Sequence, residues 1–398
     1  MNLSIGQASL LKFLSISVAL TVIVASGNLR SMGLQEQTNE DRQRVVFLAG
    51  PHKASSTSIQ LNMYLWLTNK NGEDDSGLSE NWAWPSPSEA YREHCEMDDH
   101  DEAKIFYPWI ESLKGQSREN RCITGYYSKE ALIELYRNEI HNQWMEGYNL
   151  VIASEAMDFI SSERRENSNQ ILDDMIEQLP WHGELAVSGS DDDITAVVGY
   201  RAPRIGHLVS LWHQCCMTSM SFYEYLTDRL ASVDDPLRSL DSLKLTQDFL
   251  DRGLNTVLVD MSGIKARGYD MSNIIACDVL GAKCTLDKVF PNAQEKKAEV
   301  ANVKTHSEVN FNVTRPQLDR IDAVIQQYDC NFASLMRHRK LQVLYGDQLH
   351  DIFSNCEDYQ DSVATRHDMV QQIINIARIE DDEDKDDDDD YYVVEEST

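Results

Sequence analysis

The apolar residues of this chain fall into short continuous runs, separated by longer stretches in which they recur every three to four positions. Residues 44–49 (RVVFLA) form one such run, closed by Gly50 and Pro51. After a small-residue loop, a helical pattern occupies 58–67 (SIQLNMYLWL). The runs at 148–154 (YNLVIAS), 193–200 (DITAVVGY) and 255–260 (NTVLVD) are of the same kind. A strand buried on both faces needs no apolar/polar alternation, so these runs read as interior strands. Helical periods fill 128–144 (with Ser128 as a cap), 169–179, 205–230 and 240–251, and the pattern stays helical from 316 to 379. Residues 69–90, rich in Gly, Pro, Ser and acids, read as loop. Strands alternating with helices predict an α/β fold, with a central, mainly parallel sheet flanked by helices and a helical C-terminal part. No internal repeat is present.

The ends of the chain differ from this body. Residues 13–27 (FLSISVALTVIVASG) are apolar, preceded by Lys12, with no acid before Glu36. The run is shorter than the ~20 residues of a full membrane helix. It fits either a cleaved signal peptide, with small residues Ala25, Ser26 and Gly27 at its end, or a short signal anchor. Residues 28–43 are polar and aperiodic, a stem or linker. The folded domain is expected over 44–379. Residues 380–396 hold twelve acids and one lysine, so 380–398 reads as a solvated acidic tail in which Tyr391 and Tyr392 could be modified.

Charge excludes some partners. With 36 Lys+Arg against 66 Asp+Glu the net charge is −30, the wrong sign for a general nucleic-acid binder or for adhesion to an anionic membrane through a basic face. The membrane enters only through the N-terminal segment. The eight cysteines all follow that segment, as expected of a chain folded in an oxidising lumen. Nearness in sequence suggests Cys277/Cys284, Cys330/Cys356 and Cys95/Cys122 as pairs. Zinc ligation lacks support, because there is no CxxC and no His/Cys cluster at metal spacing. Asn312-Val313-Thr314 is a glycosylation sequon suited to the same compartment.

Two segments carry candidate chemistry. The first is the loop Gly50-Pro51-His52-Lys53-Ala54-Ser55-Ser56-Thr57 between a strand and a helix. Backbone N–H groups and the positive helix end make an anion seat there, to which Lys53 adds charge and the Ser56 and Thr57 hydroxyls add donors. His52 stands where a Walker A loop has glycine, so a nucleoside-triphosphatase loses its main support. The second is VVGYRAPR followed by IGHLVS, which places Arg201 and Arg204 after a strand and Ser210 on the next helix. Ligands of an open parallel sheet bind beyond the strand carboxyl ends, where both segments fall. The competing structural reading pairs the two arginines with Asp191, Asp192 and Asp193.

These segments resemble a known family. GPHKASSTSIQ after an apolar strand looks like the 5′-phosphosulfate loop of the sulfotransferases, where HKTGTT-like strings are common. The strand–Arg-x-Pro–helix–Ser unit looks like their 3′-phosphate loop. The resemblance covers about 45–260. Ser55 stands where the family often has Gly, and the step from Arg201 to Ser210 is one residue longer than usual, which leaves Arg201 and Arg204 as rivals for the 3′-phosphate. The resemblance implies a P-loop-like fold and a transferase that uses 3′-phosphoadenosine-5′-phosphosulfate, with no metal. It implies that Lys53 would neutralise charge growing on the leaving phosphate oxygen, that Ser56 and Thr57 would hold the 5′-phosphate, with Gly50, Pro51, His52, Ala54 and Ser55 completing the loop, and that Arg201, or Arg204 in its place, with Ser210 would hold the 3′-phosphate.

The general base is expected to be Glu155, just after the strand at 148–154, with His94 as a weaker candidate. Compartment points to a carbohydrate hydroxyl or amine as acceptor and to a Golgi-anchored or secreted protein. The alternatives are a glycosyltransferase that uses Asp191–Asp193 as a metal site, or a non-catalytic acidic matrix protein on the same fold. Trp82 and Trp84 are expected to anchor their loop, His207 and His213 to be structural, and Cys215 and Cys216 to be buried or disulfide-bonded.

Overall fold

The computed structural model describes residues 42–50, 56–69, 77–86, 129–153, 168–182, 187, 189–202, 204–215, 219–229, 242–282, 284, 312–356 and 365–379. The chain divides into Met1–Arg42 and Gln43–Thr398, and every described residue after Arg42 belongs to the second unit. The apolar runs become the strands β1 (Val45–Leu48), β3 (Asn149–Ala153), β4 (Ile194–Tyr200) and β5 (Asn255–Asp260). With β2 (Trp82–Ala83) and β6 (Leu341–Leu344) they form one six-stranded sheet in the order β2-β3-β1-β4-β5-β6. Every pairing is parallel. All four residues of β1 and the last four of β3 are buried, so the helices cover both faces of the sheet's centre.

In chain order the described helices are α1 (Ser56–Leu67), α2 (Lys129–Met145), α3 (Ser168–Ile176), α4 (Arg204–Cys215) and α5 (Phe222–Glu224, continued by a π turn, Tyr225–Arg229). They continue as α6 (Ser242–Asp251), α7 (Met261–Ala266) and α8 (Met271–Ile274, continued by a π turn, Ile275–Val279). The last are α9 (Arg315–Asp329, continued by the 3₁₀ segment Cys330–Arg337), α10 (Asp347–Ser354) and α11 (Arg366–Arg378). Helix α9 packs on α4 and α11, which joins the C-terminal helices to the sheet layer. Gln317, at the start of α9, reinforces this by donating through Nε2 to the carbonyls of Ile376 at 3.0 Å and Ile379 at 2.9 Å.

Three local patterns depart from the sequence reading. β2 lies in the segment expected to be loop; two residues are too few to show a period, and the strand exists because it pairs with β3. β6 interrupts the stretch expected to be helical throughout. It is a partly exposed edge strand with Gln342 in its middle, and its register is set by β5, more than 80 residues earlier in the chain. The helix expected over 205–230 is two helices. Ser221 restarts the second one: Glu224 N–H donates to Ser221 Oγ at 3.2 Å, and Ser221 N–H donates to Glu224 Oε2 at 2.7 Å.

Other expectations fare differently. Trp82 and Trp84 are buried in the core; Trp82 Nε1 donates to the Leu280 carbonyl at 3.0 Å, and Trp84 meets Tyr64 edge-on. Cys277–Cys284 and Cys330–Cys356 are disulfides, as nearness suggested. Cys95, Cys122, Cys216 and the side chain of Cys215 lie outside the described residues, as do the N-terminal apolar segment and the acidic tail. Among the described residues no helix is long and apolar enough to cross a membrane. Asn312 of the sequon is exposed, just before the α9 cap Thr314.

Candidate functional site

In an all-parallel sheet every strand presents its carboxyl end at one edge. The chain leaves β1 toward β2 on one side of the sheet and leaves β4 toward β5 on the other. β1 and β4 are neighbours, with Leu48 opposite Val197. The strand order therefore reverses between β1 and β4, and such a switch point is where ligands of open α/β sheets bind. Both segments singled out in the sequence follow the two strands at this switch point. The first begins at Ala49, whose N–H donates to the Val197 carbonyl at 2.9 Å and so ties the start of the β1 loop to β4. Pro51, His52, Lys53, Ala54 and Ser55 lie outside the described residues. Ser56 and Thr57 form the first turn of α1, and their side chains are likewise not described.

The second segment is described in detail and separates the two arginines. Arg201 follows β4, is half-buried, and donates through Nη1 to Ser210 Oγ at 3.1 Å. These two residues, nine apart in sequence, therefore meet at the strand end. Arg204 is 0% exposed. Its Nε lies 3.1 Å from Asp329 Oδ2 at the end of α9, and its guanidinium lies 4.9 Å from the Tyr200 ring centroid. Tyr200 completes the group by donating its hydroxyl to Asp329 Oδ2 at 2.8 Å. Arg204 is thus a buried internal cation that binds the C-terminal helices to the strand end.

Electrostatics follow from this burial. Desolvation pushes the Asp329 carboxyl up to about 6, while the Arg204 charge and the Tyr200 hydroxyl bond pull it down. The Tyr200 hydroxyl is raised in turn, first by burial and then by the Asp329 charge. Asp322, about two α9 turns earlier, accepts from Ile205 N–H at 2.8 Å through Oδ1; burial raises its carboxyl. Asp260, the last residue of β5, is fully buried and caps α7, accepting from Ser262 N–H at 3.1 Å and Gly263 N–H at 3.0 Å. Sequence reading missed Asp322 and Asp329, whose partners lie over 100 residues away. Asp260 carried a signal: an acid closing an apolar run before a helix is a cap.

The acidic triplet sits elsewhere. Asp191, Asp192 and Asp193 form a 3₁₀ turn at the amino end of β4, on the opposite edge of the sheet from Arg201. Asp191 Oδ1 accepts from Trp181 Nε1 at 2.9 Å and meets His182 Nε2 at 2.9 Å. Asp192 pairs with Lys340 at 2.8 Å, and Asp193 Oδ2 accepts from Ser190 N–H at 2.9 Å. The triplet pairs with neither arginine in the manner the structural reading supposed, and each acid has a local role. Among the described residues no group of three or more His, Cys, Asp or Glu is placed to hold a metal ion.

Glu155 and His94 lie outside the described residues; β3, which leads to Glu155, ends at Ala153 beside Leu48. His207 is fully buried, and His213 rests edge-on against Trp212, as structural residues would be. No protein-family model matches the chain, and no curated protein and no solved structure matches it.

Proposed function

We propose that this protein is a sulfotransferase that moves a sulfuryl group from 3′-phosphoadenosine-5′-phosphosulfate to a hydroxyl or amine of a carbohydrate in the secretory pathway, held in the Golgi by its N-terminal segment. The observation that carries the reading is the meeting of Arg201 and Ser210 at the carboxyl end of β4, across the switch point from the loop that leaves β1. A guanidinium beside a hydroxyl suits a phosphate, with the guanidinium donating in charge-assisted bonds. The β1 loop and the α1 amino end suit a second anion. A donor with phosphates at both ends of its ribose spans two such seats.

In this reading Arg201 and Ser210 hold the 3′-phosphate, and Lys53 with the Ser56 and Thr57 hydroxyls holds the 5′-phosphate. The acceptor oxygen attacks sulfur in line. A new S–O bond forms as the bond to the 5′-phosphate oxygen breaks, and adenosine 3′,5′-bisphosphate leaves. Lys53 stabilises the charge growing on that oxygen, and Glu155 receives the acceptor's proton.

The test is nucleotide discrimination. Adenosine 3′,5′-bisphosphate should bind the full-length protein and raise its melting temperature more than adenosine 5′-monophosphate does. Arg201→Ala should weaken the bisphosphate at least ~10-fold, the worth of one charge-assisted contact, and leave the monophosphate nearly unchanged. Lys53→Ala should lower the transfer rate by roughly 10²–10³. Equal loss of both nucleotides in Arg201→Ala, or no binding by the wild type, would overturn the assignment.

A further inference from the structure

The turn between β4 and α4 is held from two sides, and one of the holding groups belongs to neither element. Ala202, immediately after Arg201, donates its N–H to Ser262 Oγ at 2.9 Å. The Ser262 hydroxyl in turn donates to the Ala202 carbonyl. One side chain therefore closes on both backbone groups of the same residue. Ser262 is itself fixed. It lies in the first turn of α7, its N–H donates to Asp260 Oδ1 at 3.1 Å, and Asp260 is fully buried at the end of β5, opposite Tyr200 in register. Asp260 Oδ2 also accepts from Leu349 N–H at 3.3 Å, which ties this corner to α10. On the far side of the turn, Arg204 is anchored by Asp329, and Ile205 N–H by Asp322.

From this arrangement we infer that Ser262 is a positioning residue that presets the Arg201 turn for its anion. The inference rests on the function proposed above and adds a residue from β5–α7 that touches neither donor nor acceptor in that scheme. The physical reason is preorganisation. A short turn carrying a guanidinium can present it in several directions, and ordering it on binding costs affinity. A hydroxyl that engages both the N–H and the C=O of Ala202 leaves the peptide planes beside Arg201 one orientation. Backbone and side-chain ordering is then complete before the ligand arrives, and the affinity of Arg201 and Ser210 for a phosphate is expressed in full. The effect is expected at the 3′-phosphate, because the residue that Ser262 holds, Ala202, adjoins Arg201.

The experiment uses the full-length protein, with adenosine 3′,5′-bisphosphate and adenosine 5′-monophosphate as probes in parallel calorimetric titrations. Ser262→Ala should weaken the bisphosphate roughly 10-fold, about the worth of the lost hydrogen bonds, with little change for the monophosphate. Ser262→Thr, which retains the hydroxyl, should restore most of the difference. Ser262→Val, isosteric with that variant but lacking the hydroxyl, should not, and this pair serves if Ser262→Ala fails to fold. Because the readout is a ratio of two affinities in one protein, a general loss of stability does not move it. Should the wild type and Arg201→Ala discriminate as proposed while Ser262→Ala and Ser262→Val keep the wild-type ratio, Ser262 is not a positioning residue and the function stands. Should the wild type fail to prefer the bisphosphate, the function falls and this inference with it.

Discussion

Replacing Asp329 by alanine should destabilise the protein by about 3–5 kcal/mol, the cost of leaving a buried charge unpaired. The magnitude comes from the surroundings. Arg204 and Asp329 have side-chain exposures of 0% and 1%, so water cannot take the place of the lost carboxylate. Tyr200 loses the acceptor of its 2.8 Å hydroxyl bond at the same time. Asp322, whose charge also acts on Arg204, moderates the loss and argues for the lower part of the range. The double change Arg204→Met with Asp329→Leu removes both charges and keeps apolar volume, so it should lie within about 2 kcal/mol of wild type. The assay is equilibrium urea unfolding with the disulfides intact, comparing midpoints and slopes for the wild type, both single variants and the double.

A pH series sharpens the same experiment. The Asp329 carboxyl is raised from 3.8 to about 6, so the folded state binds its proton more tightly than the unfolded chain. The stability this group contributes is complete below its unfolded value and is lost as pH rises through about 6. The advantage of the wild type over the non-titrating Asp329→Asn should therefore shrink as pH rises from about 4 to about 7. A single-variant cost below about 1 kcal/mol, or a double variant as unstable as the two singles summed, would refute the argument that the pair is a desolvated, mutually dependent unit.

Two further changes test the packing around the site. A Cβ on Gly263 would lie 2.1 Å from the Tyr345 carbonyl oxygen, a backbone atom that cannot rotate aside. Gly263→Ala should thus destabilise by about 1–3 kcal/mol in thermal or urea unfolding, against the ~1 kcal/mol gain that helix propensity alone would give; a stabilised variant would show that the β6–α10 corner yields. Cys330–Cys356 closes a separation of 26 residues between the end of α9 and the end of α10, so replacing both by serine should cost about 3 kcal/mol; an unchanged urea midpoint would mean that the helices hold this corner unaided.

Much of this was legible in the residues themselves. Apolar runs without alternation, such as Val45–Leu48 and Asn149–Ala153, announce strands covered on both faces, because a doubly buried strand has no polar side to show. Residue type and position alone singled out the loops after β1 and β4 as candidates for anion binding. Nearness was enough for Cys277–Cys284 and Cys330–Cys356, since short separations bring thiols together often. Tertiary structure decided the rest, and in each case the deciding contact is remote in sequence. β6 is a strand because β5 lies beside it, although its own four residues carry no clear period. The strand order, and with it the meeting of the carboxyl ends of β1 and β4 at one switch point, is a property of the whole sheet. Arg201 and Arg204 are the same residue type three positions apart. Only the arrival of Asp329 from α9 makes one of them a buried strut and leaves the other beside Ser210 at the strand end, because a charge is tolerated in the interior only where the fold supplies its counter-charge.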